Sequence, residues 1–216
     1  MELFLDHDLK EATFAETETV QEVLLHIQAD MCTTDAVIVR IRCDGREVPS
    51  GEMAEFLAKP AASVGRLEVF TGARHQLVLD AMEQAAACVA DSDAECQRIA
   101  GLLTEGNIVE AADGLGHSLR TWQQVHDAVG KSIEMLQLNA GRSVIEEEPL
   151  AELLDKPREV LLQIRDALRV SDYVLLADIL QYEFHDVTEK WQAIIAMLRQ
   201  AAEKQGTSPD QGFTPQ

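Results

Sequence analysis

The residues best suited to chemistry in this sequence are two histidines in one helical segment, His117 and His126. A histidine can act as a general base or bind a metal ion, but either role needs further groups placed beside it. The two histidines lie nine residues apart, on different sides of a helix, so they cannot share a metal ion. His126 falls on the inner stripe of its helix, where we interpret it as a hydrogen-bonded core residue.

Acidic residues and cysteines give no clearer sign of a reactive site. Asp113 and Asp178 fall on helix faces turned away from the predicted core, so we expect solvated carboxylates rather than the paired acids of a glycosidase. The acidic run at residues 146–148 precedes a proline and indicates a surface loop. The four cysteines show no CxxC spacing and no neighbouring histidines, so we interpret them as small buried apolar groups: Cys32, Cys43, Cys88 and Cys96.

Three glycines interrupt the helical segment that contains the histidines. Gly114 and Gly116 form the sequence GLG, which follows no strand and lacks a following Lys-Ser or Lys-Thr, so it is not a phosphate-binding loop. Together with Gly130, these glycines predict close approach between helices. No catalytic, cofactor-binding or metal-binding residue is predicted, and we expect a protein that is not an enzyme.

The charge balance limits the partners that this protein can bind. Its 38 acidic and 18 basic residues give a formal net charge of -20. Such a charge repels phosphate backbones and anionic lipids within about one Debye length, roughly 10 Å at 0.1 M salt, so we expect no nucleic-acid and no membrane partner. The N-terminus lacks a basic segment followed by an apolar run, and no apolar stretch approaches the roughly 18 residues of a membrane span. These features predict a cytoplasmic protein.

The hydrophobic periodicity changes at Thr71-Gly72, which we predict to be a domain boundary. Residues 1–72 are typical of short strands and helices, and residues 73–204 are typical of long helices. Residues 205–216 are rich in Gly, Pro and polar side chains and predict a disordered tail. The predicted fold class is therefore α+β.

Five strands and two helices are predicted in the first domain. MELFLD and EATFAE would form a hairpin, and Thr19 would cap the following helix. The β-branched run AVIVRIRC predicts a strand that turns at Asp44-Gly45 into a short strand, REVP. EMAEFLA predicts a short helix, and RLEVFT predicts the closing strand.

This order of elements resembles a ubiquitin-like β-grasp domain over residues 1–72. The resemblance is carried by MELFLD at the start, TVQEVLLHIQ as the helix, IRCDGREV as the strand-turn-strand and LEVF as the last strand. It implies a small protein-binding or scaffolding module. A conjugated modifier would end in a free Gly-Gly tail, whereas this chain continues past Gly72 into RHQLVLDAMEQ, so we expect no conjugation.

Residues 73–204 predict an antiparallel four-helix bundle built from two similar hairpins. A shift of 65 residues superposes NIVEAADGLGHSL on DYVLLADILQYEF, and a Trp-Gln pair follows each segment. This internal similarity is the reason for predicting two related hairpins.

Capping and helix-breaking residues mark the helix ends in this domain. Asn107, with Glu110 three residues later, predicts a capping box at the start of the second helix. Pro149 and Pro157 each favour a first helical turn, which predicts a short helix followed by a separate one that begins at Pro157. Asp172 is predicted to begin the last helix.

The last helix contains more apolar residues than one core requires. One apolar stripe at helical spacing, which includes Phe184, would face the bundle. Leu175, Ile179 and Tyr182, continued by Met197, would form a second stripe roughly opposite the first. Covering the three large side chains at its start would stabilise the protein by about 5 to 9 kcal/mol. We therefore predict that Leu175, Ile179, Tyr182 and Met197 form a protein-interaction site.

Three kinds of surface could cover this second stripe: the β-grasp domain of the same chain, a second copy in a homodimer, or a different protein. The expected function is therefore non-enzymatic, that of an adaptor, scaffold or assembly protein that binds a protein partner or itself without a cofactor. The alternative is an enzyme or small-ligand binder with a pocket at the junction of the domains, near His26, Arg74 and His75.

Overall fold

A computed structural model describes four ranges of the chain, residues 1–10, 17–31, 35–145 and 147–207. The chain divides into two compact units, Met1–Leu77 and Val78–Gln216. The first unit is built on a mixed β-sheet and the second on long helices. The predicted α+β fold class is confirmed.

The sheet of the first unit has five strands: β1 (Glu2–Leu5), β2 (Asp8–Lys10), β3 (Ala36–Cys43), β4 (Arg46–Glu47) and β5 (Arg66–Ala73). Their spatial order is β2-β1-β5-β3-β4. Strands β1 and β5 run parallel, and the other neighbouring strands are antiparallel. The helical elements are α1 (Val20–Asp30), α2 (Met53–Leu57) and two single 3-10 turns, Ser50–Glu52 and Ala61–Ser63. This arrangement is β-grasp-like.

Local sequence signals account for the first unit. Thr19 and Glu22 form a capping box at the start of α1, in which the Glu22 carboxylate accepts the Thr19 N–H at 2.7 Å. Leu67 and Val69 alternate with polar residues in β5 and are fully buried in the core of this unit. The predicted cap and closing strand are both confirmed.

The turn at Asp44-Gly45 is also confirmed, since both residues have positive φ, +50° and +82°, as a tight two-residue hairpin turn requires. The Asp44 carboxylate accepts the Arg66 N–H at 2.7 Å and so fixes this turn to β5. The predicted hairpin strand EATFAE, residues 11–16, lies outside the described residues. Its described neighbour β2 pairs with β1.

The second unit contains α3 (Arg74–Thr104, which begins in the first unit), α4 (Ile108–Met135), α5 (Leu150–Arg169), α6 (Tyr173–Asp178), a π-helical segment (Ile179–Glu183) and α7 (Phe184–Thr207). A two-stranded ribbon, β6 (Val144–Ile145) and β7 (Glu148–Pro149), precedes α5. One apolar core joins all of these long helices. The antiparallel bundle of two similar hairpins stays a prediction. No helix in the described ranges is long and apolar enough to cross a membrane.

The helix start predicted at Asn107 is confirmed, since α4 begins at Ile108, but the predicted capping box is wrong. The Asn107 side chain caps no N–H; its amide N–H donates to Glu105 at 3.2 Å, and Glu110 accepts from Arg98 at 3.0 Å instead of closing the box. Pro157 lies inside α5 rather than at the start of a separate helix. An internal proline costs about 3 kcal/mol, and the burial of the Pro157 ring against the core helps to offset this cost.

The predicted second stripe on the last helix is wrong as a continuous surface. Ile179 is only 1% exposed and lies in the core, and Met197 is packed against the same core, whereas Leu175 is 46% and Tyr182 62% exposed. The physical reason is that Ile179 follows Leu176 by three residues, so it lies on the same side of the helix as this buried residue and beside buried Leu180. A π-helical segment, Ile179–Glu183, begins at this position.

Close helix approach is confirmed at one of the three predicted glycines. A Cβ added to Gly114 would lie 2.8 Å from the Glu95 Oε1 atom and 3.1 Å from a side-chain carbon of Ile99. Gly116 and Gly130 have no such close neighbour, because a Cβ would meet only Arg120, at 3.8 Å, in the first case and nothing within 4 Å in the second. The prediction is wrong at these two positions.

The predicted tail overlaps the end of α7, which continues to Thr207. Residues 208–216 lie outside the described residues.

Candidate protein-binding groove

A groove with a volume of about 460 Å³ lies between α4 and α5. Each helix contributes residues at spacings close to i, i+3, i+4 and i+7, which lie on one helix face. The lining is mainly apolar and consists of Leu119, Trp122, Gln123 and His126 from α4 and Leu154, Asp155, Pro157, Arg158 and Leu161 from α5.

The Trp122 side chain is buried, and several contacts fix its position in the groove. It is 5% exposed and makes edge-to-face contacts with Trp191, at 5.3 Å between ring centroids, and with Phe184, at 5.1 Å. Its indole Nε1–H donates to the Ser92 hydroxyl at 2.5 Å, and that hydroxyl lies 3.2 Å from the hydroxyl of Ser118. These contacts fix the orientation of the indole and give the groove a rigid wall.

His126 lies at the exposed rim of the groove, and its ring stacks on Trp191 at 5.7 Å with an interplanar angle of 30°. The prediction of a hydrogen-bonded core residue is therefore wrong. Trp122, one turn earlier on α4, is the residue that enters the core. His126 contacts only the edge of the core. His117 is exposed as well and lines a different cavity.

Apolar side chains remain exposed along α5 beyond the groove. Leu161 is 37%, Leu162 43% and Leu168 42% exposed. Contiguous exposed apolar surface is typical of interaction sites. Of the predicted interaction residues, Leu175 and Tyr182 are exposed, but no predicted residue lines the groove. Sequence reasoning missed the groove, although the spacing of Leu119, Trp122 and His126 was a signal for its α4 side.

Another cavity of the helical unit is more polar. It has a volume of about 320 Å³ and is lined by residues that include Cys88, Glu95 and His117. Nearby Cys96 is buried, and burial raises the pKa of its thiol to about 11, so it stays protonated at neutral pH and is a poor nucleophile. The described part of the chain contains no group of three or more side chains placed to hold a metal ion.

Among the described cysteines only Cys96 is buried, since Cys43 and Cys88 are partly exposed. The prediction of buried apolar cysteines is therefore confirmed for Cys96 and wrong for these two, whereas Cys32 lies outside the described residues. Asp113 and Asp178 are exposed, as predicted.

The polar residues of the predicted junction site lie in the first unit. His26 contacts Glu18 at 3.1 Å, and the Arg74 N–H donates to the Asp35 carbonyl at 2.6 Å. The His75 ring contacts the Asp35 carboxylate. An enzymatic or ligand-binding role for these residues stays a prediction.

Glu148 holds α5 and α7 together. Its carboxylate lies 2.5 Å from the Lys156 ammonium group on α5 and 2.5 Å from the Lys190 ammonium group on α7. The predicted surface loop is therefore wrong for Glu148, which belongs to β7 and an ion-pair network, while Glu147 occupies a turn and Glu146 lies outside the described residues. Hydrogen bonds from Lys156 and Lys190 lower the pKa of the Glu148 carboxyl.

Glu148→Gln is expected to lower the melting temperature at pH 7. Because the folded-state pKa of Glu148 lies below its unfolded value, the stabilisation is complete above that unfolded value, about 4.3, and is lost as the pH falls through the folded-state pKa. Circular dichroism melts should therefore show a difference between wild type and variant that shrinks in acid. Glu159→Gln on the exposed side of α5 is the matched control. An equal difference at pH 7 and at about pH 2 would refute the ion-pair role.

The fold and the groove together define an α+β protein whose helical unit presents an apolar surface between two helices. Residues 80–194 match a family model described as a domain of unknown function, DUF8042, and residues 1–73 match the TP0873 N-terminal domain. The first match covers more than half of the 216 residues, so the chain belongs to the DUF8042 family. All residues that line the groove lie within this match. No curated protein and no solved structure matches the chain.

Proposed function

We propose that this protein is a non-enzymatic protein-binding module, of the adaptor or assembly-factor kind, and that the groove between α4 and α5 holds an amphipathic helix of its partner. The observation that carries the proposal is the open apolar groove beside the rigid Trp122 indole. A soluble surface rarely leaves such an apolar concavity uncovered unless something binds there.

The dimensions of the groove support a helical ligand. From Leu119 to His126, and from Leu154 to Leu161, the lining spans seven residues, or about 10 Å along each helix axis. Anchor side chains at positions i, i+3 or i+4, and i+7 of a bound helix cover the same length. One helix face of about two turns therefore fits the groove.

The distribution of polar groups supports a protein interface. Gln123, His126, Asp155 and Arg158 lie among the apolar lining residues and provide hydrogen-bonding groups at the groove. An apolar centre with polar groups around it is the usual anatomy of a protein–protein interface. The Trp122 indole N–H already donates to Ser92, so this residue offers no free hydrogen-bonding group to a partner and acts as the wall of the groove.

Site-specific photo-cross-linking in the native host tests the proposal. A photoreactive amino acid at Gln123 should form an adduct with one partner protein, and the cross-link should map to an amphipathic helix. The same amino acid at Val109, which is 80% exposed near the start of α4, is the control and should not capture this partner. If the only adduct is with a second copy of this chain, the proposed partner is refuted and the groove is the interface of a homodimer.

Leu161→Glu is expected to weaken binding of the purified partner at least tenfold. Leu161 is 37% exposed, so the folded protein tolerates glutamate there, but the bound partner would bury its charge against apolar side chains. The dissociation constant from titration calorimetry checks this expectation. Val109→Glu makes the same kind of change outside the groove and should bind like wild type. Equal affinities of all three proteins would reject the groove as the binding site.

A further inference from the structure

The exposed side of α5 separates apolar and basic residues from acidic ones. Leu154, Leu161 and Leu168 recur every seven residues and form a stripe that begins in the groove. At 100° per residue, Arg158, Arg165 and Arg169 fall with these leucines in one sector of about 100°. We call these six residues the α5 stripe.

The acidic residues of α5 lie beyond this sector, on the adjoining part of the helix surface: Glu152, Asp155, Glu159 and Asp166. This separation contrasts with the rest of the unit, since residues 78–216 contain 24 acidic and 11 basic residues. The α5 stripe, which has three arginines and no carboxylate, is therefore a basic surface on an acidic unit.

The arginines of the stripe are available to a partner. Arg158 and Arg169 make no ion pair with any residue in the described ranges, and Arg165 contacts only its neighbour Asp166, at 2.9 Å. An exposed pair of this kind is weak in water, so a partner carboxylate can replace it. Asp155 is the one carboxylate that lines the groove, and it would repel an acidic group at that end.

We propose that the helix bound in the groove is acidic, with its apolar face on the leucines of the α5 stripe and its carboxylates against Arg158, Arg165 and Arg169. The inference rests on the proposed function and adds the chemistry of the partner. Guanidinium groups bind carboxylates in bidentate geometry, which makes arginine well suited to such an interface. The stripe from Leu154 to Leu168 is about 21 Å long, which corresponds to a partner helix of about four turns.

Three model peptides test the inference by fluorescence anisotropy with the full chain. Each is an amphipathic leucine-alanine helix of roughly 18 residues, and the peptides differ only in the residues that flank the apolar face: glutamate, glutamine or lysine. The glutamate peptide is expected to bind most tightly and to lose at least tenfold in affinity between about 0.05 and 0.5 M salt. Replacing all three stripe arginines by glutamine should weaken it at least tenfold.

The matched control removes three positive charges elsewhere, by Lys131→Gln, Arg142→Gln and Arg199→Gln, and should leave the affinity for the glutamate peptide unchanged. If the glutamine or lysine peptide binds as tightly as the glutamate peptide, and Leu161→Glu still weakens it, the acidic partner is refuted while the groove remains the binding site. If no peptide binds but the cross-linked partner does, the acidic helix is likewise refuted. If Leu161→Glu changes the affinity for neither the peptides nor the cross-linked partner, the proposed function is refuted as well.

Discussion

Ile179→Ala is expected to destabilise the helical unit by about 2–5 kcal/mol, the usual cost of a large-to-small change in a packed core. Ile179 is 1% exposed and lies in the core beside Leu180, at the start of the π-helical segment. Leu175→Ala removes a side chain of similar size that is 46% exposed, so its cost should be below about 1 kcal/mol.

Urea unfolding followed by tryptophan fluorescence measures this difference in the helical unit alone. Both tryptophans of the chain, Trp122 and Trp191, lie in that unit. The free energies of unfolding of the two variants should differ by more than about 1 kcal/mol, with Ile179→Ala the less stable protein. Equal free energies of unfolding would mean that Ile179 lies on the outer face of the helix, as the predicted second stripe requires.

Trp122→Ala is expected to cost about 3–5 kcal/mol, because it leaves a cavity between the groove and the core. The same change removes the ring contacts with Trp191 and Phe184 and leaves the buried Ser92 hydroxyl without its indole donor. Fluorescence of the remaining Trp191 during urea unfolding measures the loss. A cost below about 1 kcal/mol would show that Trp122 is not a structural wall of the groove.

Trp122→Phe separates the two contributions of the indole. It retains an aromatic ring against Trp191 but removes the hydrogen bond to Ser92, and it is expected to cost less than Trp122→Ala. Because changes at Trp122 are expected to lower the stability of the protein, Leu161, which is exposed, is the better position for a variant that tests binding.

The first unit could be predicted from the sequence because its signals are local. The Thr19 capping box, the Asp44-Gly45 turn and the alternation around Leu67 each act over a few neighbouring residues. These short-range rules set the strand and helix positions, and the order of the elements then determines a β-grasp-like sheet.

The errors in the helical unit arise where packing overrides a local rule. Pro157 favours a helix start, but it lies in the middle of α5 and its ring is buried. Tertiary contacts therefore keep the helix continuous through Pro157. Asn107 and Glu110 have the spacing of a capping box, but the Asn107 side chain caps no N–H and Glu110 accepts from Arg98 instead. Ile179 has the spacing of an outer stripe with Leu175 and Tyr182, but it also follows buried Leu176 by three residues, and packing places it in the core.

The groove could be predicted only in part, because it depends on which two helices are neighbours. The spacing of Leu119, Trp122 and His126 indicates one face of α4, and that of Leu154 and Leu161 indicates one face of α5. Neither pattern shows that the two faces lie side by side with Trp122 between them. Pairing of helices far apart in the sequence is a property of the packed structure.

The indole N–H resonance of Trp122 in an NMR spectrum of the full chain tests the groove as the partner site most directly. The chain has two tryptophans and therefore two indole signals, which Trp122→Phe assigns. With the cross-linked partner at about the wild-type dissociation constant, the Trp122 signal is expected to shift in wild type and in Val109→Glu, and to shift much less in Leu161→Glu, whose affinity is at least tenfold lower. A Trp122 signal that does not move while the wild-type protein is fully bound would place the partner elsewhere and contradict the proposed function.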